Sequence, residues 1–316
     1  MKKLKHVLQI PTPFLFNYIE HVLSYRDYTL VKYPKFLLAT PKSNPLPVML
    51  VAHIDTVHKK PPSVIYHDPD HNVLWSPDGL GADDRAGVYA LLKISKNYKP
   101  YLLFTDEEES GGGGAQEFID IYPDPFDNLN MVIQLDRCGV YDSVFYDVDS
   151  QPFMDYINSF GFIEDIGTFS DICWICPSWE INGVNLSVGF YNEHTETEYL
   201  NYKHLDSTIQ KVCKILSEDI PKFDYEEFYC HPSYRGYYSY SYSEKVCGIC
   251  GNRTKDLIRI DEDEGFSLCR ECYEYETFVC NGCKERFFFN SITNTTAEDN
   301  EYCDECWNDI FGRKGE

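Results

Sequence analysis

The sequence has no apolar run long enough to cross a membrane. Its longest stretches, such as LPVMLVA at 46–52, fall well short of the ~18–20 residues of a span and suit a buried strand. Basic residues are also scarce, with 28 Lys and Arg against 51 Asp and Glu and a formal charge of −23. A chain this acidic gains nothing from counterion release on DNA or RNA and is repelled by an anionic membrane surface, so neither is an expected partner. The opening MKKLKHVLQIPTP has basic residues but no apolar core before Pro11 and Pro13, and so does not read as a secretory leader. The expectation is a cytoplasmic protein. Hydrophobic residues (43%) and aromatics (16%) are plentiful, which supplies a substantial core and excludes disorder of the whole chain.

Cysteine is abundant and unevenly placed. Of 13 cysteines, eight form four CxxC pairs within residues 246–316. In a reducing compartment that pattern favours metal thiolates over disulfides.

The chain reads in three parts. Residues 1–222 alternate short apolar runs (36–40, 48–52, 101–105, 131–135 and 185–189) with helical patterns at about 85–96, 114–121 and 202–216. That alternation predicts an α/β three-layer sandwich around a mixed, largely parallel sheet, followed by a small zinc-binding domain. Residues 223–245 are rich in Tyr and Ser with no period and read as a linker; residues 246–316 hold the cysteine pairs.

Residues able to bind metal or move protons recur at the ends of the predicted strands. They are His53-Ile54-Asp55, Gly81-Ala82-Asp83-Asp84, the run Asp106-Glu107-Glu108-Glu109 before four glycines, Leu135-Asp136, and Asn192-Glu193-His194-Thr195. Any one of these is an ordinary feature of a protein surface. Five in series are harder to dismiss, because the carboxyl ends of strands in an open α/β sheet converge on one crevice.

AHIDTV at 52–57, GLGADDRAG at 79–87, TDEEESGGGGA at 105–115, QLD at 134–136 and NEHTETEY at 192–199 together resemble the ordered motifs of the co-catalytic zinc exopeptidases. That clan includes leucyl-type aminopeptidases, peptidase T and the glutamate carboxypeptidase and deacylase relatives, and the likeness spans about residues 7–220. The resemblance implies two catalytic Zn2+ ions bridged by Asp83, one completed by His53 and Asp136 and the other by Glu109 and His194. It makes Asp55 the carboxylate that holds the His53 tautomer and Glu108 the general base. EESGGGGA from Glu108 fits the family pattern better than a start at Glu107. Co2+ or Mn2+ could replace zinc at such a site. Arg137 reads as an outward salt bridge or a substrate anchor, and Tyr191, Asn192 and Thr195 as candidate oxyanion donors. The short spans from His53 to Asp83 and from Asp136 to His194 leave no room for an inserted lid domain.

The tail is read from spacing. Cys247, Cys250, Cys269 and Cys272 form one CxxC…CxxC set, and Cys280, Cys283, Cys303 and Cys306 repeat it, each suited to a closed tetrahedral zinc site. The module resembles tandem zinc-ribbon or treble-clef fingers, paired in sequence or cross-braced. Its acidity favours a protein partner, with Phe287, Phe288 and Phe289 as a candidate surface. Cys173 and Cys176, a further CxxC with no second pair nearby, read as small buried apolar residues.

The activity implied is hydrolysis of amide bonds in small peptides by an aminopeptidase. A deacylase or carboxypeptidase of N-acyl amino acids is the alternative enzyme, and a non-catalytic zinc-finger recruitment protein is the alternative from another class.

Overall fold

Strand residues in the first part of the chain alternate between two apolar faces, and helices cover both. The computed structural model describes residues 1–146 and 148–226, together with 257–259, 267–269, 277–283, 286–288, 294–295 and 301–302. The chain divides into two compact units, Met1–Phe228 and Tyr229–Glu316.

The first unit runs α1 (Lys2–Gln9), α2 (Thr12–Ser24), β1 (Tyr28–Lys32), β2 (Phe36–Pro41), β3 (Val48–His53), β4 (Tyr66–Asp68), β5 (Val73–Trp75), α3 (Ala82–Ile94), β6 (Tyr101–Thr105) and α4 (Gly113–Ile121). It continues through β7 (Met131–Arg137), β8 (Asp142–Val144), α5 (Gln151–Asn158), β9 (Ile163–Glu164), α6 (Ile172–Trp179), β10 (Gly183–Ser187), β11 (Phe190–Tyr191), β12 (Tyr199–Asn201) and α7 (Tyr202–Ser217). Eight strands form one sheet in the order β1-β2-β6-β3-β7-β10-β8-β9. The central pairs β6/β3, β3/β7 and β7/β10 are parallel, while β1/β2, β2/β6 and β10/β8 are antiparallel. The sheet is therefore mixed, with a parallel heart.

The period of two in the strands builds the layers. Val48, Leu50 and Ala52 of β3, with Met131, Ile133 and Leu135 of β7, join one core with α1, α2, α3, α5 and α7. Met49 and Val51 of β3, Val132 of β7 and Leu103 of β6 point the other way, onto Ala115 and Phe118 of α4 and Ile175 and Trp179 of α6. One of these contacts demands glycine. A Cβ on Gly87 in α3 would meet the Leu135 carbonyl oxygen at 2.1 Å, so only a bare backbone lets α3 lie this close to β7 beside Asp84.

A second, smaller sheet was not expected from the sequence. It has the order β11-β12-β5-β4 and is wholly antiparallel, pairing Tyr199 with Trp75 and Leu200 with Leu74. The span between His53 and Asp83 thus forms a hairpin that docks on the strands flanking His194. The first unit also continues past residue 222. Phe223 packs on Phe153 and Tyr156, and the Asp149 N–H donates to the Glu226 carbonyl at 2.8 Å.

In the second unit, β13 (Leu257–Arg259) pairs with β14 (Ser267–Cys269), β15 (Thr277–Val279) with β16 (Arg286–Phe288), and β17 (Asn294–Thr295) with β18 (Glu301–Tyr302), all antiparallel. Cys280 and Cys283 lie between β15 and β16, where Cys280 is buried and the Gly282 N–H reaches its Sγ at 3.3 Å. Cys269 ends β14. Cys247, Cys250, Cys272, Cys303, Cys306 and Phe289 lie outside the described residues. Among the described residues, no helix is long and apolar enough to cross a membrane.

Candidate metal centre and active site

The parallel strands β6, β3 and β7 end together, and their last residues carry the polar side chains that the motifs single out. His53 closes β3 in register with Thr105 of β6, and Asp136 stands near the end of β7. His53 is buried, and its Nε2 lies 3.2 Å from Asp83 Oδ1, 3.3 Å from Asp136 Oδ1 and 3.8 Å from Glu108 Oε2. His194 approaches from the segment between β11 and β12. Its Nε2 lies 3.1 Å from Asp83 Oδ2 and 3.0 Å from Glu109 Oε2. Asp83 therefore presents one carboxylate oxygen to each histidine.

The loop after β6 sorts the glutamates. Glu107, at φ +63°, turns outward to pair with Lys35 Nζ at 2.7 Å. Glu108 and Glu109 turn inward, each with a side chain 11% exposed, and their backbone N–H groups donate to the two oxygens of Asp55 at 3.2 Å. Asp55 Oδ1 also lies 3.2 Å from His53 Nδ1, so this carboxylate orients the imidazole and the glutamate loop together. Gly111 and Gly112 donate back to Glu108 and Glu107 carbonyls, closing the turn, and a Cβ on Gly114 would meet the Asp106 and Lys35 carbonyl oxygens at 2.6 Å.

Asp136 is held from below. Its Oδ2 accepts from Gln134 Nε2 at 3.0 Å and Ser170 Oγ at 3.2 Å, and its N–H donates to Asn185 Oδ1 at 3.0 Å. Asp84, joined to Asp83 by a cis peptide bond, is completely buried. Its two oxygens accept the N–H groups of His53 at 3.3 Å and Gly87 at 3.0 Å. The sequence did not assign Asp84 a role. It braces β3 against the start of α3 and also lies among the ligand atoms of His53 and Asp136, whereas the oxygens of Asp83 face the two histidines.

Other candidates are engaged elsewhere. Arg137 Nη2 donates to Asp165 at 2.6 Å, the outward salt bridge, and Tyr191 OH lies 2.7 Å from His204 Nδ1. Thr195 Oγ1 donates to the Asn192 carbonyl at 2.7 Å. Cys176 is buried and Cys173 half-buried on α6. Two buried residues went unread in the sequence. Arg85 donates to the Leu8 and Ile10 carbonyls and to Thr12 Oγ1, tying the start of α3 to the N-terminal helices. Glu198 is buried against Gly81, Asp83 and His58, and it borders a cavity of about 590 Å3 with Asp68, Trp75, Glu196 and Tyr199.

The protonation states carry the marks of crowded carboxylates. Burial pushes Glu108 up to about 9 and Asp136 up to about 7, each reinforced by neighbouring acids. Burial disfavours the imidazolium of His53, but Asp136, Asp55 and Asp83 outweigh it and hold the ring well above its ordinary value. The hydrogen bond to Asp83 raises His194 to about 9, and both histidines hold Asp83 low against its burial.

The donor set fits a metal. Ligand atoms of His53, Asp83 and Glu109 lie within 4.8 Å of one another, as do those of His53, Asp84 and Asp136. One proton on His53 Nε2 cannot serve Asp83, Asp136 and Glu108 at once, and Glu109 Oε1 is buried without a hydrogen-bond partner. A shared cation answers both deficits, and two imidazoles with carboxylates suit zinc.

Fold and site together define a class: an α/β domain whose central parallel strands deliver a buried histidine and carboxylate cluster able to hold metal. Residues 37–160 match the model of Peptidase family M28. No curated protein matches the chain. Among solved structures, the fold is shared with aminopeptidase PepT from Bacillus cereus at a TM-score of 0.56 and 13% identity, over 68% of this chain and 96% of that one. It is shared with a tripeptidase from Staphylococcus aureus at 0.54 and 14%, over 67% and 95%. A TET aminopeptidase from a marine sediment archaeon of the Thaumarchaeota aligns at 0.54 and 13%, over 68% and 96%.

Proposed function

We propose that the first unit is a zinc-dependent aminopeptidase acting on small peptides. The observation that carries this reading is Asp83, whose two oxygens face His53 and His194 at 3.2 and 3.1 Å while Glu109 Oε1 is buried without a partner. His53, Asp83 and Asp136 would hold one ion, and Asp83, Glu109 and His194 the other. Bound together, two such ions polarise the scissile carbonyl and acidify a water. Glu108, buried beside His53, takes the proton of the attacking water and returns it to the leaving nitrogen. Asp55 keeps His53 and the Glu108 backbone in register throughout. The match to Peptidase family M28 and the fold shared with an aminopeptidase and a tripeptidase support this assignment.

Substrate chemistry is tested with paired peptides that differ only in a free or acylated N-terminus. Release of the first residue from free peptides alone is the expected result. Cleavage restricted to blocked substrates would make the chain a deacylase or carboxypeptidase, and hydrolysis of neither would make it a recruitment protein.

The tail is assigned two structural zinc ions, one held by Cys247, Cys250, Cys269 and Cys272 and the other by Cys280, Cys283, Cys303 and Cys306, and a protein partner. Elemental analysis should find about four zinc ions per chain, falling to about two when residues 246–316 are deleted. A drop to none would refute the centre in the first unit.

The pH dependence of stability has a definite sign. In metal-free protein Glu108, Asp136 and His194 keep their protons to higher pH folded than unfolded, where they titrate near ~4 for the acids and ~6.5 for histidine. Their contributions are complete below the unfolded values and are lost as pH rises through about 7 for Asp136 and about 9 for Glu108 and His194. Asp83 acts oppositely, but only below the ordinary carboxylate range. Thermal melts of chelator-treated protein should therefore fall steadily from about pH 5 to 9, while the shift produced by added zinc grows over that range because bound ligands must be deprotonated. A flat profile in both conditions would contradict the assignment.

A further inference from the structure

Glu198 is a buried acid beside the centre that the proposed chemistry does not use. Its side chain is fully buried, yet among the described residues it pairs with no lysine or arginine. Oε1 accepts the N–H of Asp83 at 2.9 Å, and Oε2 accepts the N–H of Gly81 at 2.6 Å and lies 3.0 Å from His58 Nε2. The two backbone partners lie on the loop that delivers Asp83, while Glu198 itself stands four residues after His194, its N–H donating to the Thr195 carbonyl at 3.2 Å.

That loop needs an external acceptor. Asp83 and Asp84 open α3 with non-helical backbone angles, and Gly81 at the cap position has no side chain to offer. The first N–H groups of a helix have no intrahelical partner and must find one elsewhere. Here the partner is a carboxylate from a segment more than a hundred residues distant, which fixes the backbone of Asp83 and not merely the helix end.

We propose that Glu198 is a positioning residue for the metal centre: its carboxylate locks the Gly81–Asp83 backbone to the segment carrying His194 and so holds the Asp83 carboxylate astride both histidines. This rests on the di-metal reading of the site. A carboxylate is required because both of its oxygens accept backbone N–H groups. Glutamine offers one acceptor and points an NH2 group at the other donor, which swings the loop by releasing one of its two anchors. Partners that orient ligands from behind are typically worth about 10–100-fold in metal affinity.

The test uses the full chain and Glu198→Gln, titrated after chelation with zinc chloride and with cobalt chloride. Expected are a 10–100-fold loss of affinity at the first unit, an altered visible spectrum of the cobalt form, and a fall in kcat at saturating metal with KM held within about twofold. Ordinary helix capping would lower the melting temperature and leave the cobalt spectrum and affinity unchanged, and that result overturns the proposal. Should Glu198→Gln fail to fold, Glu198→Asp decides: it keeps the charge but is one methylene shorter, so it reaches only one N–H and should show the same spectral change in milder form. An unchanged Glu198→Asp spectrum also overturns it. Wild-type protein that takes up no metal in its first unit would sink the proposed function itself, whereas wild type and variant binding alike would sink only the role of Glu198.

Discussion

Glu108→Gln should lower kcat by about 10²–10⁴-fold while leaving the metal content of the protein unchanged. The side chain is 11% exposed and its Oε2 sits 3.8 Å from His53 Nε2, inside the cluster but farther from the imidazole than the oxygens of Asp83 and Asp136. In the proposed function it serves substrate or water, while Asp83 and Asp136 serve the ion beside His53. Burial and nearby acids raise its carboxyl to about 9 in metal-free protein, which shows how strongly the surroundings resist another negative charge. Cations held by the neighbouring His53, Asp83 and Asp136 would offset that charge and bring Glu108 back toward the range in which it can both accept and donate a proton. Glutamine keeps the shape and the contact between the backbone and Asp55 but has no proton to exchange. Turnover and metal content measured on the same preparation check the result, and undiminished turnover would refute Glu108 as the base. Glu107→Gln, on the outward pair with Lys35, should change activity by less than about twofold, since an exposed pair is worth ~0–1 kcal/mol.

The second large effect concerns adjacent aspartates with separate duties. Asp83→Asn should strip both ions from the first unit and reduce activity by more than about 100-fold, because polarisation by metal supplies several kcal/mol of transition-state stabilisation. The amide carries no charge and presents an NH2 group in place of one oxygen, so one of His53 and His194 loses its acceptor and neither keeps an anionic partner there. Asp84→Asn should behave differently. Its oxygens accept the His53 and Gly87 N–H groups, so the amide leaves one buried donor unsatisfied at a cost of about 1–3 kcal/mol. The expected reading is a lower melting temperature with metal content preserved. Loss of metal from Asp84→Asn but not from Asp83→Asn would reverse the assignment.

The parts of the fold legible in the sequence are those with strong local patterns. β3, β6 and β7 are nearly continuous apolar runs buried on both faces, and α7 carries a single apolar stripe, so both were readable. β10 begins two residues earlier than the 185–189 pattern indicates, at Gly183, and its Asn185 is a buried polar residue turned to Asp136 and Ser170. The small sheet escaped because β4, β5, β11 and β12 are two or three residues long, too short for any period. Within the site, His53 and Asp136 stand out because each stands at or next to the end of a strand, and His194 because it borders β11. Asp83 stands out because its Gly-Ala-Asp context fits a known motif, although it opens α3 and ends no strand. Glu198 and Arg85 do not, since a charged residue in NEHTETEY or ADDRAG looks like solvated surface until the segment that covers it is known. What buries them is tertiary: the 8–12 segment around Arg85, and the 79–83 loop around Glu198.

The hairpin pairing of Trp75 with Tyr199 also has a kinetic consequence. That ladder closes most of the first unit into a single loop, and loop-closure entropy must be met before any contact across it is rewarded. During synthesis β3, β6 and β7 can assemble and bring His53 and Asp136 together, but His194, and Glu198 that anchors the Asp83 loop, arrive only with the segment after β11. The cluster is therefore a late product of folding, and a nascent chain stopped at the end of β10 would contain all eight strands of the large sheet but neither His194 nor Glu198.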